Sequence, residues 1–224
     1  FSSITKDVNV QCVANGWSSP LYTIAALPVP GVVSFTLKAT PPAYTGRDII
    51  IQENHGDIIV PEGSEIKWVC RVENSNTFNV RVGDSVLVSE NVVSNVFNAN
   101  WVARSTLQYF FIPSNESLGR VDSLRYSLSV ITDKRPIIRV IEIEDEESRM
   151  LRYFSGSISD DYGFSRLAFV SRIVGSGDSE YIDFDLPSGK TDDYYFTWDL
   201  GPLELQAGDV VEYWIEVWDN DGIH

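Results

Sequence analysis

Apolar and polar residues alternate along most of this chain, and three stretches do so most clearly, each running into a polar turn. Val8, Val10, Cys12 and Ala14 lead into Asn15-Gly16; Leu124, Tyr126, Leu128 and Val130 lead into Thr132-Asp133; Val211, Tyr213, Ile215 and Val217 lead into Asp219-Asn220-Asp221-Gly222. A period of two with one apolar side is the mark of a half-buried strand, because successive side chains point to opposite faces of a sheet. The recurrence predicts tandem domains, spaced by roughly the length of an immunoglobulin-like sandwich, whose penultimate strand, F, has this character. The expected fold class is all-β, with tandem immunoglobulin-like β-sandwich domains.

Turn signals divide the chain into three parts. Residues 1–30 read as the terminal hairpin of a truncated preceding β domain: 8–14 as strand F, Asn15-Gly16 as the turn, 21–27 as strand G, and Pro28-Val29-Pro30 as a stiff spacer. Residues 31–135 hold a complete immunoglobulin-like repeat, with strands expected at 33–37, 49–51, 58–60, 66–72, 78–82, 86–88, 92–97, 107–112 and 124–130. Residues 136–224 form a second repeat, with strands at 137–143, 151–158, 164–174, 181–186, 194–198 and 210–218. Only Ile223-His224 follow its last turn, so strand G is expected to be missing and the edge exposed or borrowed. Open edges recruit strands, which makes a homodimer conceivable, with residues 8–27 of one copy on 210–218 of another.

Charge separates the two repeats. Residues 1–136 hold 12 acids against 11 bases, whereas residues 137–224 hold 20 acids against 6 bases. A surface as negative as the second repeat repels phosphate backbones and anionic lipid, so nucleic acid is not expected as a ligand; a solvated face, cations or a basic partner are the remaining readings. No apolar run is long enough to cross a bilayer, and 24–35 is interrupted by Pro28 and Pro30. The chain begins at Phe1 without initiator Met or signal segment and reads as a piece of something longer. Cys12 and Cys70 each fall on the apolar side of an alternating run and are expected to be small buried residues, a disulfide between them staying open as the alternative.

Several phrases together resemble a known family. Pro41-Pro42-Ala43-Tyr44-Thr45-Gly46-Arg47, Val60-Pro61-Glu62-Gly63-Ser64 with Trp68 downstream, Asp160-Asp161-Tyr162-Gly163-Phe164 and the run from Tyr213 to Gly222 are similar to large membrane-anchored envelope proteins of Bacteroidetes-type bacteria that carry a domain of unknown function. The resemblance spans roughly residues 30 to 224. It implies membrane helices outside this sequence, a periplasmic string of immunoglobulin-like domains, and a protein partner in the envelope; it implies no reaction.

The residues offer little for catalysis. His55 lies in a Gly- and Asp-flanked turn and His224 is the last residue, so no nucleophile–histidine–acid set can be placed, and neither a phosphate loop nor Gly-x-Ser-x-Gly occurs. The most specific constellation is acidic. A sandwich brings the segment leading into strand A, the B–C loop and the F–G loop to one pole, and these carry Asp133, Asp160, Asp161, Asp219 and Asp221. Five carboxylates suit calcium, which takes six to eight oxygens; the competing reading is turn chemistry with ion pairs to Lys134 and Arg135. On the last strand, Trp214 and Trp218 alternate with glutamates on the outward side, where they could stack on a sugar or be covered by protein. The expectation is a non-catalytic spacer and protein-interaction region of a periplasmic segment, with a carbohydrate-binding module as the alternative.

Overall fold

The computed structural model describes residues 6–120, 122–144, 150–175 and 177–221. The regular elements among them are strands and two short 3-10 turns, Ala43–Thr45 and Gly201–Leu203, and no helix is long and apolar enough to cross a membrane. The chain divides into two units, 1–41 with 48–131, and 42–47 with 132–224. The division thus falls at Ile131, and Pro42–Arg47, which sequence reading put in the first repeat, groups with the second unit.

In the first unit, the N-terminal hairpin pairs β1 (Val8–Val10) with β4 (Tyr22–Ile24), and β2 (Val13–Ala14) with β3 (Trp17–Ser18). Asn15 and Gly16 both have positive φ, which a two-residue hairpin turn of this twist requires. The expected strand 8–14 is interrupted at Cys12, whose N–H donates to Ser19 Oγ (3.0 Å) and whose carbonyl accepts from the Ser19 N–H (2.8 Å). The expected strand 21–27 shrinks to Tyr22–Ile24. Cys12 is exposed with a free thiol, against the expectation of burial, because the hairpin packs no core over it; Trp17 is 83% exposed.

The rest of this unit is a two-sheet sandwich built from β5 (Gly31–Thr40), β6 (Ile50–Glu53), β7 (Ile58–Pro61), β8 (Ser64–Glu73), β9 (Thr77–Val82), β10 (Ser85–Val88), β11 (Glu90–Val93), β12 (Val96–Ala103), β13 (Leu107–Asn115), β14 (Gly119–Arg120) and β15 (Leu124–Ile131). One sheet runs β11-β12-β8-β5-β6 and the other β10-β9-β13-β15-β7, with β14 on β13. Strands B and E in one sheet, C, F and G in the other, is the immunoglobulin-like arrangement. In it β8 is B, β9 is C, β12 is E and β13 is F. β15 is therefore strand G, because it pairs with β13 on one side and runs parallel to β7 on the other, and the expected equivalence of 124–130 with strand F is overturned. Alternation marked it as half-buried, which F and G share. The expected strand 92–97 is in fact two strands around a turn, with Asn95 at positive φ.

Period-two burial in β8 sets the core: Ser64, Ile66, Trp68, Cys70 and Val72 point inward and the residues between them outward. Trp68 sits against Tyr109 and Phe111 at centroid separations of 5.0 and 6.5 Å, and Tyr126 and Leu128 of β15 belong to the same cluster, as expected from their spacing. Cys70 is free and fully buried, and burial pushes its thiol up to about 12.

The second unit contains β16 (Ile137–Glu144), β17 (Leu151–Ser159), β18 (Phe164–Ile173), β19 (Glu180–Asp183), β20 (Thr191–Asp199) and β21 (Val211–Asp219), ordered β16-β17-β20 and β19-β18-β21. This matches A-B-E facing C′-C-F, so β21 is strand F, and among the described residues it pairs only with β18. Its inward side, Val211, Tyr213, Ile215 and Val217, closes on Phe169, Trp198 and Leu167. Gly156 admits no side chain: a Cβ there would stand 2.2 Å from the Arg139 carbonyl, under the Tyr194 ring.

Because Trp68 is wholly buried and its neighbour Val69 is 36% exposed, Trp68→Ala is expected to cost about 3–5 kcal/mol and Val69→Ala less than about 1 kcal/mol in denaturant unfolding. Equal losses would show the register of β8 to be wrong.

Candidate metal centre

Strand register assembles the acidic pole of the second unit. Ile137 opposite Ser159 places the start of β16 beside the end of β17, and Phe164 opposite Asp219 places the start of β18 beside the end of β21. The segment before β16, the loop between β17 and β18 and the residues after β21 therefore share one end, as the sandwich reading requires. Local turn chemistry then aims the side chains. Asp160 Oδ2 accepts the N–H groups of Tyr162 and Gly163, both at 2.7 Å. Gly163 has φ +123°, and a Cβ there would press on Asn220 Nδ2 at 3.3 Å, so the tight turn needs glycine. Asn220 Nδ2 donates to the Tyr162 carbonyl at 3.1 Å, and Asp219 Oδ1 accepts the Asp221 N–H at 3.2 Å.

Three of the five expected carboxylates converge. Asp133, Asp219 and Asp221 each offer an oxygen within 4.8 Å of the others. Two oxygens bound to one calcium at about 2.4 Å can be no more than about 4.8 Å apart, so this set fits a single ion. Asp160 adjoins the group and repels Asp219. Asp161 falls outside it: its Oδ1 takes the Lys134 N–H at 3.4 Å, and its carbonyl takes Lys190 Nζ.

The pole leaves oxygens without protein donors. Both carboxylate oxygens of Asp133, Oδ1 of Asp160, Oδ2 of Asp219 and Oδ1 of Asn220 are buried with no hydrogen-bond partner of good geometry among the described residues. Against the larger effect of burial, the Tyr44 hydroxyl and the Lys134 N–H beside Asp133 pull its carboxyl down by hydrogen bonding, although neither reaches good hydrogen-bond geometry. Asp219 is 1% exposed, and burial, followed by repulsion from Asp160, Asp221 and Asp133, pushes its carboxyl up to about 6. Burial also raises Asp133, with Asp161 and Asp221 adding repulsion. The ion pairs expected from Lys134 and Arg135 do not form among the described residues; both side chains are exposed. Lys190 instead covers the Tyr162 ring at 5.2 Å. Hard oxygen donors with this much negative charge suit calcium better than zinc or copper, which favour nitrogen and sulfur.

Two members were not singled out from sequence. Asn220 lies inside the Asp-Asn-Asp run and had a visible signal. Tyr44, whose ring meets Tyr162 edge-on at 5.6 Å, comes from a segment some ninety positions before Asp133 and had none.

Trp214 and Trp218 lie on the outer face of β21, opposite Val170 and Arg166. The Arg172 guanidinium stands 5.9 Å from the Trp214 ring and pairs with Glu212 at 2.6 Å, while Trp214 Nε1 donates to Glu216 at 3.3 Å. Trp218 is 49% exposed, and none of the aromatic or cation contacts between described residues involves its ring. His55 is the only histidine among the described residues and is exposed; His224 lies outside them.

No protein-family profile matches the chain, and no curated protein matches it. Among solved structures it is similar to a crystal structure of a chicken TCR, at 13% identity and a TM-score of 0.27, over 69% of this chain and 91% of that one. The immunoglobulin-like character of both units rests on their own strand order.

Without a cation, Asp219 binds a proton more tightly folded than unfolded, so the protein loses stability as pH rises from the ordinary carboxyl value of 3.8 through about 6, and the cost is fully present above that. Asp219→Asn is therefore expected to raise the melting temperature at pH 7.5 in EDTA. A lower melting temperature than the parent under those conditions would mean that the carboxylate is already compensated.

Proposed function

We propose that this chain is a non-catalytic spacer and protein-interaction region whose acidic unit is braced by calcium. One observation carries the reading: buried oxygens of Asp160, Asp219 and Asn220 that lack a hydrogen-bond donor among the described residues lie at one pole with the Asp133 and Asp221 carboxylates. Such a group is costly as it stands, because like charges repel and desolvated carboxylates lack donors. One divalent cation removes both costs and ties together the lead-in to β16, the β17–β18 loop and the end of β21. These are the points where a six-stranded sandwich is joined only by loops, so bracing them stiffens the unit along its length.

The resemblance to Bacteroidetes-type envelope proteins supports a periplasmic setting, where calcium at millimolar levels matches the affinity of extracellular modules. The half-exposed Trp218 ring favours, as a second reading, stacking on a sugar. Trp218→Ala would then abolish glycan-array binding without changing the response to calcium.

Millimolar calcium is expected to raise the melting temperature of the chain, since a ligand that binds only the native state stabilises it by RT ln(1 + [L]/Kd), about 2.7 kcal/mol at a hundredfold excess over Kd. Asp133→Asn and Asp219→Asn should each remove the rise. Identical melting curves in EDTA and in 5 mM calcium would end the proposal.

A further inference from the structure

The first unit carries a feature of opposite sign that the calcium reading does not use. The outer face of the β11-β12-β8-β5-β6 sheet is hollowed into a groove of about 680 Å³, lined by Lys38, Lys67, Asn100, Val102 and Arg104, with Trp101 and Ile66 behind them. That volume lies within the range of small-molecule sites. The register orders the lining into rows. Lys38 of β5 stands directly opposite Lys67 of β8, and Lys67 opposite Asn100 of β12; the next row is Thr40, Glu65 and Val102.

Two lysines facing each other across neighbouring strands repel and cost stability relative to an opposite-charge pair. Both are exposed, and no carboxylate lies within ion-pair distance of Lys38, Lys67 or Arg104 among the described residues. Glu65 is the only acid in the lining, so three bases face one acid in a chain whose formal net charge is -15. A concentration of positive charge held in a concavity of a unit that is otherwise close to neutral focuses anions to that spot.

We propose that this groove binds an oligoanionic ligand, one with at least two carboxylate or phosphate groups, the outer two separated by roughly 14 Å, because Arg104 lies four residues along the chain from Asn100 in the Lys38–Lys67 row. One group would sit between Lys38 and Lys67, where it relieves their repulsion. The second would meet Arg104, whose planar fork suits either anion. The Asn100 amide supplies a neutral donor beside them, and Val102 gives the ligand's uncharged body an apolar surface.

Isothermal titration of the full chain at low ionic strength with a tetragalacturonate and with tripolyphosphate tests this and separates the two sources of anion. At least one is expected to bind with a sub-millimolar Kd, and the double variant Lys38→Gln, Lys67→Gln to bind at least tenfold more weakly with a melting temperature no lower than the parent's. Arg125→Gln, an exposed base on the other sheet of the same unit, is expected to leave binding intact. Failure of both probes to bind, equal binding by the double variant, or an equal loss in Arg125→Gln would overturn the proposal, the last because it would reveal diffuse charge attraction instead of a site. The titration is run in EDTA-treated, calcium-free protein, because both probes bind calcium themselves; the calcium reading then stands or falls separately.

Discussion

Everything at the acidic pole depends on the pairing of β18 with β21. Phe164 opposite Asp219 fixes where strand F ends, and side chains on a strand change face at every residue. Slipping this register by one residue would turn Asp219 away from Asp133 and expose Val211, Tyr213, Ile215 and Val217 in place of Trp214 and Trp218. The same ladder thus decides both which aromatic residues form the core and which carboxylates meet. The aromatic set formed by Phe154, Phe169, Trp198 and Tyr213 holds the ladder in place, with centroid separations between 4.8 and 6.1 Å for the pairs that include Phe169 or Trp198 with its neighbours. Packing of this kind tolerates little shift.

The pole is unusual in what it leaves undone. Turn residues ordinarily consume their own carboxylates by accepting nearby N–H groups, and Asp160 does so with Oδ2. Had turn formation been the whole purpose, exposed Lys134 and Arg135, a residue or two from Asp133, could have covered the remaining charge. Instead Asp219 is placed at 1% exposure with an oxygen unpartnered, beside Asp133 and Asp221. A carboxyl shifted from 3.8 to about 6 represents a penalty on the order of 3 kcal/mol at neutral pH, a large share of a small domain's net stability. A cation held there would turn that penalty into a bond between three loops, and the contrasting basic groove of the first unit shows that charge in this chain is placed locally, not spread evenly.

The all-β class, most strands and the convergence of Asp133, Asp219 and Asp221 were legible because each follows from period-two alternation plus the rule that sandwich loops return to the same pole. Strand identity was less so. Residues 124–131 and 211–219 look alike in sequence because strands F and G are both half-buried; only partners in space, β13 and β7 in one case and β18 in the other, tell them apart. Cys12 misled for a related reason: alternation reports a strand with two unlike faces but not whether anything packs on the apolar one. Asp161 could not be told from Asp160 without the turn that sends their side chains different ways. Tyr44 could not be found at all, since nothing in its local sequence records a position beside Asp133. The Lys38–Lys67 pair likewise exists only once β5 is aligned with β8.

The most direct measurement is a structure determined in millimolar calcium. The account predicts one ion with carboxylate oxygens of Asp133, Asp219 and Asp221 at about 2.3–2.6 Å, joined by Asp160 Oδ1 or Asn220 Oδ1. An ammonium group of Lys134 or a water with ordinary hydrogen-bond distances in that position, at calcium concentrations above 5 mM, would contradict it.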